Sequence, residues 1–124
     1  MWPPEFRHFL ESNALAGKAV EISDGDDLSG VGASIQLFDE PDAASEANDF
    51  YPGLAVKADG YVPIAGCVEG SGDPYFIRIQ DQQPGPVYRV YHDLVHDENY
   101  DRGQAIVRVL DSYEDLLKYL GESL

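Results

Sequence analysis

The residues best suited to chemistry sit in one short run, His92-Asp93-Leu94-Val95-His96. On a helix this spacing places both imidazoles on one face, where they could hold a zinc ion. Asp93 would then stand where a zinc hydrolase carries its general base, with a shorter side chain than the usual Glu. A metal-dependent hydrolase using His92 and His96 is therefore one reading of the chain. It needs a third ligand that the sequence does not identify, although His8 or an acidic residue could approach in the fold. The run also follows directly on a strand ending near Tyr91, which makes a polar strand end the simpler reading.

Other candidates match their chemistry less well. Cys67 could act as a nucleophile with His92 or His96 as base. Its neighbours Ile64, Ala65 and Val68 are apolar, and a buried thiol behaves as a small hydrophobe. Gly70-Ser71-Gly72 does not complete a G-x-S-x-G elbow, because Glu69 and Asp73 occupy the flanks. Gly30-Val31-Gly32 lacks the third Gly and the Lys of phosphate-cradling loops. A calcium loop starting at Asp24 finds Asp26 at position three. It then meets Leu28, Ser29 and Ile35 where an oxygen ligand, Gly and Glu are needed. No pattern calls for a cofactor or a metal, and the chain reads as non-catalytic.

Charge is the more informative property. The sequence has 23 Asp and Glu against 8 Lys and Arg, a net charge of −15. Such a field repels phosphate backbones and anionic membranes, so neither nucleic acid nor a membrane is an expected partner. It favours encounter with a basic protein. From Ala19 to Val56 there is no Lys or Arg. Besides Glu21, that segment holds the candidate contact residues Asp24, Asp26, Asp27, Asp39, Glu40, Asp42, Glu46 and Asp49. Gathered on one side they would make a one-sign patch; dispersed, they would only keep the protein solvated.

These residues need a scaffold, and 124 residues suffice for one domain spanning 1–124 with a single core. The 44% apolar content, with 8 Tyr, 5 Phe and 1 Trp, is that of a folded protein. The single Cys67 forms no internal disulfide and suits a reducing compartment. The opening Met1-Trp2-Pro3-Pro4-Glu5 carries no signal-peptide pattern. The apolar stretch Tyr61 to Val68 is too short to span a bilayer, so the expected location is cytoplasmic.

Pro3 and Pro4 suit a helix start, with Phe6, Phe9 and Leu10 at helical spacing and Gly17 as the stop. Strands are expected at Ala19 to Ile22 and Ala33 to Phe38. Asp39 can cap a second helix whose apolar face is Ala43, Ala44, Ala47, Phe50 and Tyr51, closed by Pro52-Gly53. Val62 to Val68, Tyr75 to Gln80, Pro86 to Tyr91 and Ala105 to Leu110 read as further strands, with a turn at Gly70-Ser71-Gly72-Asp73-Pro74. Ser112 with Asp115, or Asp111 with Glu114, can cap a last helix carrying Tyr113, Leu116, Leu117, Leu120 and Leu124 as one stripe. Consecutive strands without intervening helices favour an α+β fold, with a mainly antiparallel sheet of about 5–6 strands and roughly three flanking helices. A homodimer is compatible with this reading.

In this order and spacing the motifs resemble the SUKH superfamily, whose founders are fungal cell-wall regulators. The resemblance rests on Pro4-Glu5-Phe6-Arg7-His8-Phe9-Leu10 with Asn13, on Leu37-Phe38 followed by Asp39 to Gly53, and on Val62 to Ala65 with Gly72-Asp73 and Tyr75 to Ile79. Pro86-Val87-Tyr88, His92-Asp93 and Val109 to Leu117 extend it to nearly the whole chain. The family usually has a helix before the Pro-aromatic motif and often Gly where this chain has Ala14. The resemblance implies an α+β fold and binding rather than catalysis. It implies an immunity protein that neutralises a cognate bacterial toxin by direct contact, or a regulatory or scaffold module with an endogenous partner. It carries over no catalytic residues.

Overall fold

Successive side chains of a strand point to opposite faces of its sheet, and this period-two geometry sets the architecture. The structure is a computed structural model that describes residues 1–68 and 72–121. Strands β1 (Ala19–Ile22), β2 (Ala33–Leu37), β3 (Tyr61–Cys67), β4 (Tyr75–Arg78), β5 (Val87–Val90) and β6 (Ile106–Leu110) form one sheet in chain order. Every neighbouring pair is antiparallel. Helices α1 (Pro4–Ser12), α2 (Glu40–Asp49), α3 (Gly53–Val56) and α4 (Arg102–Ala105) flank it, with a 3-10 helix at Tyr113–Tyr119. The fold is α+β, as the run of strands indicated.

One face of the sheet presents Val20, Ile22, Ile35, Leu37, Val62, Tyr75, Ile77 and Val109 to the main core, together with Phe6, Phe9 and Leu10 of α1. The other face carries a smaller core of Tyr61, Phe76 and Val90 against Ala55, Val56, Val95 and Ala105. An irregularity between Pro63 and Ala65 shifts the register, so that Ala65 joins the main core opposite Tyr75. The two sheet edges are drawn together. Leu28, in the β1–β2 loop, donates from its backbone to Val109 of β6 at 3.0 Å. Beyond β6 the chain returns to β1, with a bridge between Val20 and Leu120 and a 2.9 Å bond from Gly121 to Ala19. The sheet therefore curls around its larger core.

Helix α1 begins as its prolines indicate and buries Phe6, Phe9 and Leu10. Trp2 is buried just before it, its Nε1 donating to the Pro63 carbonyl at 2.8 Å. Edge-to-face contacts then link Trp2 to Phe6 (5.1 Å) and Phe6 to Tyr113 (5.0 Å). Gly17 does not end the helix. It stops at Ser12, where Asn13 Nδ2 and backbone N–H both donate to the Phe9 carbonyl. Ala14 N–H bonds Glu11, and Leu15 N–H bonds Leu10, the two bonds of a Schellman motif. That motif needs a left-handed residue, and Ala14 supplies it at φ 51°.

Other boundaries also move. The Asp39 cap forms as expected, accepting from Asp42 N–H at 2.8 Å. However, α2 ends at Asp49, Phe50 turns extended, and Phe50 and Tyr51 are exposed rather than part of a buried face. Gly53 opens α3 instead of closing α2. The last helix is a 3-10 helix, whose three-residue turn stacks Tyr113, Leu116 and Tyr119 inward. The α-helical stripe fails accordingly, since Leu117 and Leu120 are exposed. Leu124 and the Gly70-Ser71 part of the expected turn lie outside the described residues.

A left-handed alanine costs about 1–2 kcal/mol that glycine avoids. Ala14→Gly is expected to raise unfolding free energy by about 1 kcal/mol in urea denaturation. A loss of stability would mean that Ala14 is not strained.

Candidate protein interface and its buried anchor

The candidate contact residues divide into two groups. Asp24, Asp26 and Asp27 lie in the loop joining β1 to β2, and Asp39, Glu40, Asp42, Glu46 and Asp49 lie on α2 or its cap. Asp24, Asp26, Asp39, Asp42 and Asp49 are exposed, and Glu46 is half-buried, its carboxyl pushed up by that burial. Two members do not fit an open contact surface.

Asp27 is only 3% exposed and faces inward. Its Oδ1 accepts from Ser29 N–H at 2.7 Å and from Ser29 Oγ at 2.6 Å. Its Oδ2 lies 3.5 Å from Nη2 of Arg89, a β5 residue that is 1% exposed. The same Nη2 donates to the Gly32 carbonyl and to the Tyr75 hydroxyl. The guanidinium also stands 5.2 Å from the Tyr75 ring centre. Burial pushes the Tyr75 hydroxyl up to about 12, with Asp27 acting in the same direction. Arg89 Nε and Nη1 find no hydrogen-bond partner among the described residues. Asp27 thus serves as a counter-ion beneath the loop.

Glu40 also has an internal role. Arg7 Nε and Nη2 reach its two oxygens at 2.9 and 2.7 Å, fastening α1 to α2. The Arg7 hydrogen bond holds the carboxyl at about 2 instead of 4.5. Its stabilising contribution is therefore fully present above pH 4.5 and is lost as pH falls through about 2.

The remaining α2 acids are ordered by helical geometry. Asp39, Asp42, Glu46 and Asp49 recur at spacings of three and four, so they share one face beside the buried Ala43 and Ala47. Asp39 and Asp42 line a shallow cleft of about 270 Å³ with Gly17 and Gln36. On the adjoining hairpin, Ala19 pairs with Gln36 and Glu21 with Ser34, all four away from the core. A larger cleft of about 560 Å³ opens at the loop end of this hairpin, lined by Glu21, Asp24, Val31, Ser34, Cys67 and Tyr75 among others. The outer face of the hairpin thus meets the start of α2 where Gln36 lies beside Asp39 and Asp42. Among the described residues, Glu21, Asp24, Asp26, Asp39, Asp42, Glu46 and Asp49 make no ion pair.

The imidazole run does not take the helical shape that would place both rings on one face. His92–Leu94 is a single 3-10 turn and Val95 is extended, so His92 and His96 do not stack on a helical face. His92 Nδ1 lies 2.6 Å from Oδ1 of the buried Asp73, and Nε2 lies 3.1 Å from Asp93. The His92 backbone N–H also donates to Asp73 at 3.0 Å. This clamp ties the exit of β5 to the entry of β4. No group of three or more His, Cys, Asp or Glu suited to a metal occurs among the described residues. Cys67 is half-buried on the rim of the larger cleft rather than deep in the core.

Sequence reading missed both inward pairs. Arg89 was detectable only as a charged residue within a strand of Val and Tyr, and its partner lies 62 positions away. Removing one member of a buried ion pair typically costs about 3–5 kcal/mol. Asp27→Ala is expected to lose stability on that scale, and Asp27→Leu combined with Arg89→Met to recover much of it. Urea denaturation of the three proteins checks this; a loss below about 1 kcal/mol for Asp27→Ala would contradict the anchoring role.

No helix among the described residues is long and apolar enough to cross a membrane. Comparison of the chain with protein-family models, with curated proteins and with solved structures finds no match in any of the three.

Proposed function

We propose that this chain is a non-catalytic protein-binding domain of the SUKH type, an immunity protein that neutralises a cognate bacterial toxin through its acidic surface. The observation that carries the reading is the set of exposed carboxylates on the β1–β2 hairpin and α2 that make no ion pair among the described residues. Surface charge of one sign raises the encounter rate with a basic protein and disfavours acidic competitors. Exposed Leu28, Val31, Phe50 and Tyr51 border the same region and add apolar area that a partner can bury. The resemblance of the motif order to SUKH immunity proteins supports a toxin as that partner. The lone thiol of Cys67 suits a reducing compartment as the site of action.

The experiment is co-expression with a toxin-like domain encoded beside the chain. Protection and a stable complex are expected, with affinity falling steeply as salt rises. Asp42→Lys with Asp49→Lys should weaken the complex at least ~10-fold without loss of fold, mainly by slowing association. Neither protection nor a complex would overturn the immunity reading. Affinity capture that recovered only housekeeping proteins would favour a regulatory module.

A further inference from the structure

The sequence contains two Asp-Gly bonds, Asp24-Gly25 and Asp59-Gly60. In such a pair no glycine side chain shields the backbone nitrogen, and covalent geometry keeps it within reach of the aspartate Cγ. Attack on that carbon requires the peptide plane between the two residues to rotate. The two planes are held very differently. At Asp59-Gly60 the Asp59 carbonyl accepts from Arg78 Nε at 3.0 Å and from Gln80 Nε2 at 3.2 Å. The Gly60 N–H donates to the Lys57 carbonyl at 3.0 Å, and the Asp59 carboxylate holds the Tyr100 hydroxyl. Gly60 is buried against the Gln80 side chain. At Asp24-Gly25 both residues are exposed, and a Cβ built on Gly25 would have nothing within 4 Å. Neither the Asp24 carbonyl nor the Gly25 N–H has a backbone hydrogen bond among the described residues. The pair forms the tip of a turn that closes on the Ser23 carbonyl, which accepts from the Asp26 and Asp27 N–H groups at 3.0 and 2.9 Å. Exposed loop tips of this kind open readily.

We propose that Asp24-Gly25 is a site of spontaneous backbone isomerisation that ages the β1–β2 contact loop. The Gly25 nitrogen forms a bond to Cγ of the protonated Asp24 carboxyl group. The carboxyl hydroxyl and the Gly25 amide proton leave together as water, closing a five-membered imide. Water then adds to one of the two imide carbonyls and breaks its bond to nitrogen. Opening at the side-chain carbonyl restores aspartate. Opening at the main-chain carbonyl leaves the chain running through the side-chain carbon, as isoaspartate. The water lost is regained, so no other reactant is consumed. Charge is unchanged, but the backbone gains one carbon atom. The far side of the loop is fixed by Asp27 on Arg89 and by the bond from Leu28 to Val109, so the added length falls on the Ser23 turn. The Asp24 carboxylate then leaves its place in the contact surface, a consequence that rests on the binding role proposed above.

The test ages the full chain for weeks at neutral pH and locates isoaspartate by electron-transfer fragmentation of its peptides. Isoaspartate is expected to accumulate at Asp24 and not at Asp59. Gly25→Ala, at a position with room for the methyl group, should slow the reaction at least about tenfold while the fold is kept. Asp24→Glu, which would have to close a six-membered imide, should suppress it further. No isoaspartate at Asp24, an equal rate at Asp59, or an unchanged rate in Gly25→Ala would overturn the proposal. The isomerised chain, separated from the unaged one, should bind the toxin domain about tenfold more weakly. Unchanged affinity would overturn the ageing of the contact loop while leaving the immunity reading intact. Isomerisation at Asp24 without any toxin complex would support the site while the immunity reading fell.

Discussion

A guanidinium in a protein interior must be neutralised where it lies, and Arg89 imposes that condition on the whole sheet. It projects from β5 into the main core, whose nearest strand neighbours offer Tyr75 and aliphatic side chains. The counter-ion comes from the β1–β2 loop, which carries Asp27 inward while Leu28 bonds β6. The inward turn of the loop and the buried Tyr75 hydroxyl meet at this guanidinium. The same arrangement leaves Leu28 and Val31 on the outside and opens the larger cleft beside Gly32.

Charge is partitioned accordingly. With 8 Lys and Arg against 23 Asp and Glu, cations are scarce, and several are already engaged. Arg7 holds Glu40, Arg89 holds Asp27, Arg108 holds Asp111, and Lys118 holds Asp115. The first two pairs tie distant elements together, and the last two are local pairs on the surface, where such bridges contribute little. The acids of the hairpin and of the outer face of α2 are left over. Helix α2 tolerates them partly because Asp39, Glu40 and Asp42 sit at its positive end. Their mutual repulsion remains, and a basic partner would relieve it.

Local patterns were legible in the sequence, and long-range ones were not. The Pro start and apolar spacing of α1, the Asp39 cap and the succession of six strands follow from periods and turn residues. The stop at Ser12 could not be read, because it depends on Ala14 adopting a conformation that its side chain disfavours. The final segment looked α-helical by spacing, but packing of Tyr113 and Leu116 against α1 and the sheet selected a three-residue turn. Among the candidate contact residues, exposure held for Asp24, Asp26, Asp39, Asp42 and Asp49. It failed for Asp27, and Glu40 is engaged by Arg7, because each has an arginine brought to it only by the tertiary fold.

The claim at the centre is that the carboxylates left unpaired by the chain's own cations form the surface that meets a basic protein. Hydrogen-exchange footprinting of the chain bound to the toxin domain tests it most directly. Slowed exchange is predicted across residues 19–36 and 39–51, with the His92–Leu94 turn and β6 unchanged. Protection confined to the His92 turn or to β6, with the hairpin and α2 exchanging as in the free chain, would contradict it.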